Sequence, residues 1–222
     1  MSIIAIDGPA GSGKSTTARL VAKKLGFIYI DTGAMYRVVA YATLKSGISI
    51  EDETSIANLA SNLKISFREG LEKQLVFLNN EDVSKEIRTS EVSEAASIIA
   101  IYSQVRKILV EMQQRMGKNC NAVMEGRDIG TVVFPQAELK IFLIATYPTR
   151  ACRRQRDLIK KGEEIKIPAL VNQLKKRDKR DKERQDSPLK KAPDAVELDT
   201  TLLTINEQVD KVVELAKVRL NL

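Results

Sequence analysis

The nine residues Gly8-Pro9-Ala10-Gly11-Ser12-Gly13-Lys14-Ser15-Thr16 lie between the apolar run Ile3-Ile4-Ala5-Ile6 and the helix-like Thr17-Ala18-Arg19-Leu20-Val21-Ala22. Strand, glycine loop, helix is the context in which the pattern G-x-x-x-x-G-K-[ST] builds a phosphate-binding P-loop. Glycines let the backbone curl so that several N–H groups point at one phosphate, and the helix opening at Lys14 adds the positive end of its dipole. Lys14 is expected to reach the β- and γ-phosphates of a nucleotide, and the Ser15 hydroxyl to sit on Mg²⁺.

The rest of the chain repeats the alternation that such a loop needs. Phe27-Ile28-Tyr29-Ile30 reads as a short buried strand after a helix ended by Gly26, and its far end delivers Asp31-Thr32-Gly33-Ala34-Met35-Tyr36-Arg37 into a second helix. Asn121-Ala122-Val123-Met124, Leu139 to Ile144 and Ala195 to Leu198 are three more core strands, and Val209, Val212, Val213 and Ala216 mark a final helix. Five short strands with helical crossovers predict a three-layer α/β/α sandwich around a parallel sheet. In such sheets ligands bind outside the carboxyl ends of the strands, so Asp31 to Arg37 is expected to face the same crevice as the P-loop. Asp31 reads equally as a group that orients metal-bound water or as a helix N-cap.

Residues 49–88 break the rhythm. Ile56, Leu59, Ala60 and Leu63 keep helical spacing, but Leu63 to Phe67 and Leu75 to Leu78 alternate like strands, with turn residues at Glu69-Gly70-Leu71 and Asn79-Asn80. These predict a small antiparallel hairpin or meander inserted into the core of 1–48 and 89–222. Helical spacing returns through Val92 to Ile99 and again, after a possible N-cap at Ser103, up to Gly117.

Charge is concentrated. The net charge is +7, yet Arg150 to Lys191 alone holds sixteen Lys and Arg against seven Asp and Glu. The segment of about 149–191 reads as helical, with Ile167, Leu170, Val171 and Leu174 as an apolar stripe that continues at the same spacing as Arg177, Arg180, Asp181 and Arg184. Such a stripe is either a helix projecting into water or an arginine-rich lid over phosphates, which guanidinium groups bind bidentately. The absence of histidine removes Ser-His triads, His-bound zinc and imidazole acid/base chemistry. Cys120 and Cys152 lack ligand-like spacing and read as free thiols. No apolar run approaches the ~18 residues of a membrane span, and the N-terminus offers no signal-like segment, so a soluble cytoplasmic protein is expected.

Four blocks then decide among P-loop proteins. Asp31 to Arg37, Asp82-Val83-Ser84-Lys85-Glu86-Ile87-Arg88, Glu125-Gly126-Arg127-Asp128-Ile129-Gly130-Thr131-Val132-Val133-Phe134-Pro135 and Arg177-Asp178-Lys179-Arg180-Asp181 resemble, in order, the signature blocks of the bacterial cytidylate kinase family. The resemblance spans essentially the whole chain. It implies a nucleoside-monophosphate-kinase core, ATP-dependent transfer to CMP and dCMP, and a nucleotide-binding role for the insertion. It places Ser97, Arg106 and Asp128 at the cytosine, Arg177 and Asp181 near the sugar, and Thr32, Tyr36, Arg37 and Arg127 around the acceptor phosphate; relatives often carry Ser at the Thr32 position. Arg180 and Arg184 are expected near the transferring phosphoryl group, with Lys14. Read alone, Ser97 is a polar residue on a helix, Asp128 a turn or N-cap residue, and the arginines surface ion pairs.

ATP, CMP and dCMP are thus the expected partners, with Mg²⁺ as cofactor, no nucleic acid or membrane, and a monomeric state. Two rival readings remain: a kinase of another small metabolite on the same core, or a nucleic-acid-binding protein using residues 150–191, against which the interspersed Asp178, Asp181 and Asp186 argue.

Overall fold

The computed structural model describes residues 1–70, 74–160 and 162–222. In chain order its elements are β1 (Ile3–Asp7), α1 (Lys14–Leu25), β2 (Ile28–Asp31), α2 (Thr32–Lys45), α3 (Glu53–Ser61), β3 (Ile65–Arg68), β4 (Leu75–Leu78) and β5 (Glu81–Asp82). There follow α4 (Ser90–Ile99), α5 (Ser103–Gly117), β6 (Ala122–Gly126), β7 (Leu139–Ile144), α6 (Tyr147–Ile159), α7 (Ile167–Glu183), β8 (Val196–Asp199) and α8 (Ile205–Leu220). The expected five-stranded parallel sheet is present, in the order β2-β6-β1-β7-β8.

The chain divides into two compact units, one of Met1–Tyr29 with Asn119–Leu222 and one of Ile30–Lys118. In the first, β1 runs between β6 and β7, with Asp7 level with Gly126 on one side and Phe142 on the other. Strand β1 is buried along its whole length, as a central parallel strand must be, which is why it reads as an unbroken apolar run. Ile4, Ile6, Ile141 and Leu143 pack with Ala18 and Val21 of α1 and with Val209, Val212 and Ala216 of α8. Each such large side chain contributes ~1.5–3 kcal/mol on burial. This core holds the carboxyl ends of β1, β6 and β7 side by side.

The basic segment is two helices rather than one. Helix α6 stops at Ile159, and α7 starts at Ile167 behind Pro168 in its first turn. Leu170 and Leu174 pack on Ala151 and Leu158 of α6, so the predicted apolar stripe is the seam between the two helices. Beyond Glu183 the helix ends, and Arg184 and the following residues are irregular.

In the second unit α2, α4 and α5 enclose a core around Met35, Val38, Val39, Ile56, Ile99 and Leu109. Residues 49–88 lie inside this unit. They form α3 and a three-stranded antiparallel meander in the order β3-β4-β5, with Ile65 opposite Leu78 and Leu78 opposite Glu81. Asn79 and Asn80 make the tight turn between β4 and β5 at φ 49 and 72, a conformation that Asn tolerates better than most residues. Leu71, expected in the preceding turn, lies outside the described residues. Ser103 is the first residue of α5 and not its cap. Tyr102 occupies that position, its hydroxyl donating to Ile50 O at 2.7 Å, while the Glu53 carboxylate accepts from the Gln104 N–H at 2.9 Å.

Candidate active site

The glycine loop leaves β1 through a bend that only glycine can make. Gly8 has φ 145, and a Cβ there would lie 2.2 Å from the Leu143 carbonyl oxygen of the neighbouring strand. Lys14, at the start of α1, is buried, and its ammonium donates to Pro9 O at 2.8 Å within its own loop. Burial pulls the Lys14 ammonium well below the usual lysine range, and the nearby Arg127 and Arg177 charges add to this against Glu125 and Asp7. Ser12 is fully buried, and among the described residues its Oγ has no hydrogen-bond partner. A desolvated cation and an orphaned hydroxyl in one loop are what an anionic ligand would satisfy.

Ser15 Oγ donates to Glu125 Oε2 at 2.9 Å, and the Tyr29 hydroxyl donates to Glu125 Oε1. One oxygen of this carboxylate, at the end of β6, thus faces the start of α1 behind the glycine loop and the other faces Tyr29 of β2. Residues far along the chain hold the loop from behind. Thr200 Oγ1 donates to Ser12 O at 2.9 Å, Arg150 Nε donates to Ala10 O at 2.7 Å, and Thr17 Oγ1 donates to Gln208 Oε1 at 3.1 Å. Arg150 also makes a bidentate pair with Asp178 of α7, at 2.7 and 2.9 Å.

The segment after β6 is held by its neighbours' carboxylates. Asp7 accepts from the Ile129 and Gly130 N–H groups at 2.9 and 2.8 Å, one on each oxygen. Burial pushes the Asp7 carboxyl up to about 6, against those two hydrogen bonds. Arg127 Nε donates to Asp181 Oδ2 of α7 at 2.9 Å. Burial alone would raise the Asp181 carboxyl, but Arg127 and Arg177 outweigh it and leave it below its usual range. Arg127 is in turn held above the ordinary guanidinium range, Asp181 overcoming the cost of burial. The Asp128 carbonyl accepts from Thr131, Val132 and Val133 N–H groups as the chain turns, and its side chain lies 3.9 Å from a guanidinium nitrogen of Arg184. Arg184 is buried and is fixed by the Ser187 carbonyl.

Of the residues singled out in the sequence, this unit therefore gathers Gly8 to Thr16, Arg127, Asp128, Arg177, Asp181 and Arg184, with Arg180 half-buried on the same helix. Asp178, read as an acid interspersed in a basic segment, is the buried partner of Arg150, and Asp181, read likewise and by resemblance placed near the sugar, is that of Arg127.

The unit of residues 30–118 carries the others. Asp31 is the N-cap of α2, accepting from Ala34 N at 2.9 Å, and its other oxygen pairs with Arg37 at 2.8 Å. Thr32 and Ser97 are buried. Arg106, 3 % exposed, donates to Ala100 O at 3.1 Å and stands 5.5 Å from the Tyr36 ring centroid. Among the described residues the buried Arg37 Nε has no hydrogen-bond partner.

With this geometry in place, comparison with known proteins becomes informative. The sequence profile of the cytidylate kinase family matches residues 4–218. The chain belongs to the cytidylate kinase family. Its chemistry is accordingly ATP-dependent phosphoryl transfer to a nucleoside monophosphate. The chain is 50% identical over 212 residues to a cytidylate kinase of Bacillus cereus, covering 96% of this chain and 94% of that one. It is 51% identical over 209 residues to a cytidylate kinase of Bacillus thuringiensis, covering 94% and 93%. Among solved structures, shikimate kinase from Acinetobacter baumannii in complex with shikimate aligns with a TM-score of 0.51 over 98% of this chain and 94% of that one. At 15% identity that likeness is one of fold. Among the described residues no helix is long and apolar enough to cross a membrane, and no group of three or more His, Cys, Asp or Glu forms a metal cluster.

Sequence reading overlooked Glu125, Asp7 and Arg150, whose hydrogen bonds hold Ser15, the Ile129 and Gly130 N–H groups and the Ala10 carbonyl. Glu125 stands in a quoted motif and Asp7 directly before the glycine loop, both at strand ends, so their position was the available signal. Arg150 gave none, since its partners Ala10 and Asp178 are distant in sequence.

Proposed function

We propose that the chain transfers the γ-phosphoryl group of ATP to CMP or dCMP, yielding ADP with CDP or dCDP. The observation that carries this reading is the buried Lys14, desolvated beside Arg127 and Arg177 and parked on its own loop carbonyl, which a nucleotide phosphate would relieve. Residues Gly8 to Thr16 bind the ATP phosphates, with backbone N–H groups, the Ser12 hydroxyl and Lys14 as donors.

The acceptor side is assigned to Thr32, Tyr36, Arg37, Ser97, Arg106, Arg127, Asp128, Arg177 and Asp181. Asp128 accepts from the cytosine amino group, while Arg106 and Ser97 donate to its ring nitrogen and carbonyl. Uracil presents a carbonyl where Asp128 needs a donor, so CMP is preferred over UMP. Arg127 and Arg37 hold the acceptor phosphate, and Arg177 and Asp181 the sugar. The family resemblance implies that dCMP is accepted as well, so the contact of these two residues should depend little on the 2′-hydroxyl.

The CMP phosphate is already anionic, its second pKa being near ~6, so the reaction requires no general base at neutral pH, in keeping with a chain without histidine. Catalysis is in-line positioning and neutralisation of charge by Lys14, Arg180 and Arg184. The Ser15 hydroxyl and Glu125 carboxylate are hard oxygen donors suited to Mg²⁺, an ion commonly held by one or two protein oxygens and the substrate phosphates. When bound, Mg²⁺ neutralises the phosphate oxygens between which the phosphoryl group passes.

In this reading residues of about 49–88 are the nucleotide-binding insertion, 149–191 the lid that excludes water, and 1–48 with 89–222 the core. The enzyme is proposed to act as a cytoplasmic monomer. Release of ADP measured with CMP, dCMP, UMP and AMP as acceptors tests the assignment. CMP and dCMP are expected to exceed UMP and AMP at least tenfold in kcat/KM; equal rates with all four would overturn the specificity.

A further inference from the structure

Arg150 touches three things that the reaction treats as separate. Its Nε donates to Ala10 O of the donor loop at 2.7 Å, its two terminal nitrogens grip Asp178 of α7 at 2.7 and 2.9 Å, and its guanidinium lies 4.9 Å from the Tyr147 ring centroid. The pair is almost wholly buried, with Arg150 and Asp178 side chains 3 % and 4 % exposed. The loop also packs directly on the Arg150 backbone: at Gly11, φ 76, a Cβ would meet Arg150 Cβ and O at 3.2 Å. Neither Arg150 nor Asp178 belongs to the groups assigned to substrate above.

We infer that Arg150, through Asp178, is a positioning residue that couples occupancy of the donor loop to the pose of α7. Helix α7 carries Arg177, Arg180 and Asp181, and Arg184 follows its last turn. Lys14 rests on Pro9 O here, and in the functional reading above a bound phosphate would draw it off that carbonyl. The Ala10 carbonyl lies one peptide on from the Pro9 carbonyl that Lys14 holds, so a shift of this stretch is felt by a planar fork whose other side is locked to Asp178. A lysine would keep the charge but could not hold Ala10 O and both carboxylate oxygens in one plane. Coupling of this kind is reciprocal, so the donor nucleotide tightens acceptor binding by the factor with which the acceptor tightens donor binding.

This inference rests on the functional reading above, and one titration series separates the two. CMP is titrated calorimetrically into the protein alone and into protein saturated with a non-hydrolysable ATP analogue and Mg²⁺. The wild-type Kd for CMP is expected to tighten about tenfold with the analogue. In the double variant Arg150→Met/Asp178→Leu no buried charge is left unpaired, so the fold and melting temperature are retained. Its tightening is expected to fall below about threefold, while the Kd of each ligand alone stays within about threefold of wild type. Asp178→Asn, which keeps shape, is expected to fall between. Undiminished tightening in the double variant, no tightening in the wild type, or a parallel loss of both binary affinities with a lowered melting temperature would each overturn the inference. Failure of wild-type protein to bind CMP at all would instead remove the acceptor assignment, and the inference with it.

Discussion

The ammonium of Lys14 donates to the carbonyl oxygen of Pro9, five residues back, at 2.8 Å. That contact satisfies the cation only partly, since burial still pulls its pKa well below 10.5. A lysine depressed in the folded state opposes folding wherever it remains charged, and the penalty is relieved only as pH rises past its folded value. Lys14→Met is therefore expected to raise the melting temperature of the nucleotide-free protein by a few degrees, ~1 kcal/mol being worth ~2–4 °C at this size. The same variant should lose at least ~100-fold in kcat with every acceptor, the usual cost of one preorganised donor. Calorimetry and coupled ADP release check the two halves; an active variant would remove Lys14 from the mechanism.

Asp7 gives the opposite pH signature. Its carboxyl is raised by burial from 3.8 to about 6, so the folded protein holds this proton over a range in which the unfolded chain has released it. The stabilisation is complete below the unfolded pKa and is lost as pH rises through about 6. Over the whole span the difference amounts to ~3 kcal/mol. Asp7→Asn, compared with wild type between pH 4.5 and 7.5, should flatten the fall of melting temperature across that window. Equal slopes for the two proteins would contradict the account.

Glu125 faces the Ser15 hydroxyl with one oxygen and the Tyr29 hydroxyl with the other. Glu125→Gln is expected to raise the Mg²⁺ concentration for half-maximal activity by ~10–100-fold, the range found when the groups around a metal are altered. Tyr29→Phe should move it in the same direction by less. Binding of ATP without metal, followed by calorimetry, should be unchanged in both. A variant with an unaltered Mg²⁺ profile would separate Glu125 from the ion.

Asp128 is the proposed reader of the cytosine amino group. Asp128→Ala is expected to reduce the CMP-over-UMP ratio of kcat/KM by at least ~10-fold, corresponding to ~1–3 kcal/mol of base discrimination. The acceptor panel measures this directly. A uniform loss with both bases would mean that the side chain serves the turn and Arg184 rather than the base.

What the sequence disclosed follows from how local each signal is. Glycine spacing and the apolar run of β1 declared the donor loop, because both act over a few residues. The meander was visible in the alternation of Leu63 to Phe67 and Leu75 to Leu78, and in Asn79-Asn80. The fate of Asp178 and Asp181 was hidden, since an acid in a basic helix looks solvated until Arg150 and Arg127 are known to stand opposite. Ser103 was misread as a cap because Glu53, about fifty positions earlier, serves the first turn of α5. The break between α6 and α7 was obscured by a charge run that continues across it.

The glycine loop is a short stretch, Gly8 to Thr16, yet Ser12 is held by Thr200, and Thr17 just after the loop by Gln208. On a ribosome these partners emerge 188 and 191 residues after the loop residues they hold. In a nascent chain β1 has no strand partners until β6 and β7 emerge, and the glycine loop has no back wall until the segment before α8 and the first turns of that helix have left the exit tunnel.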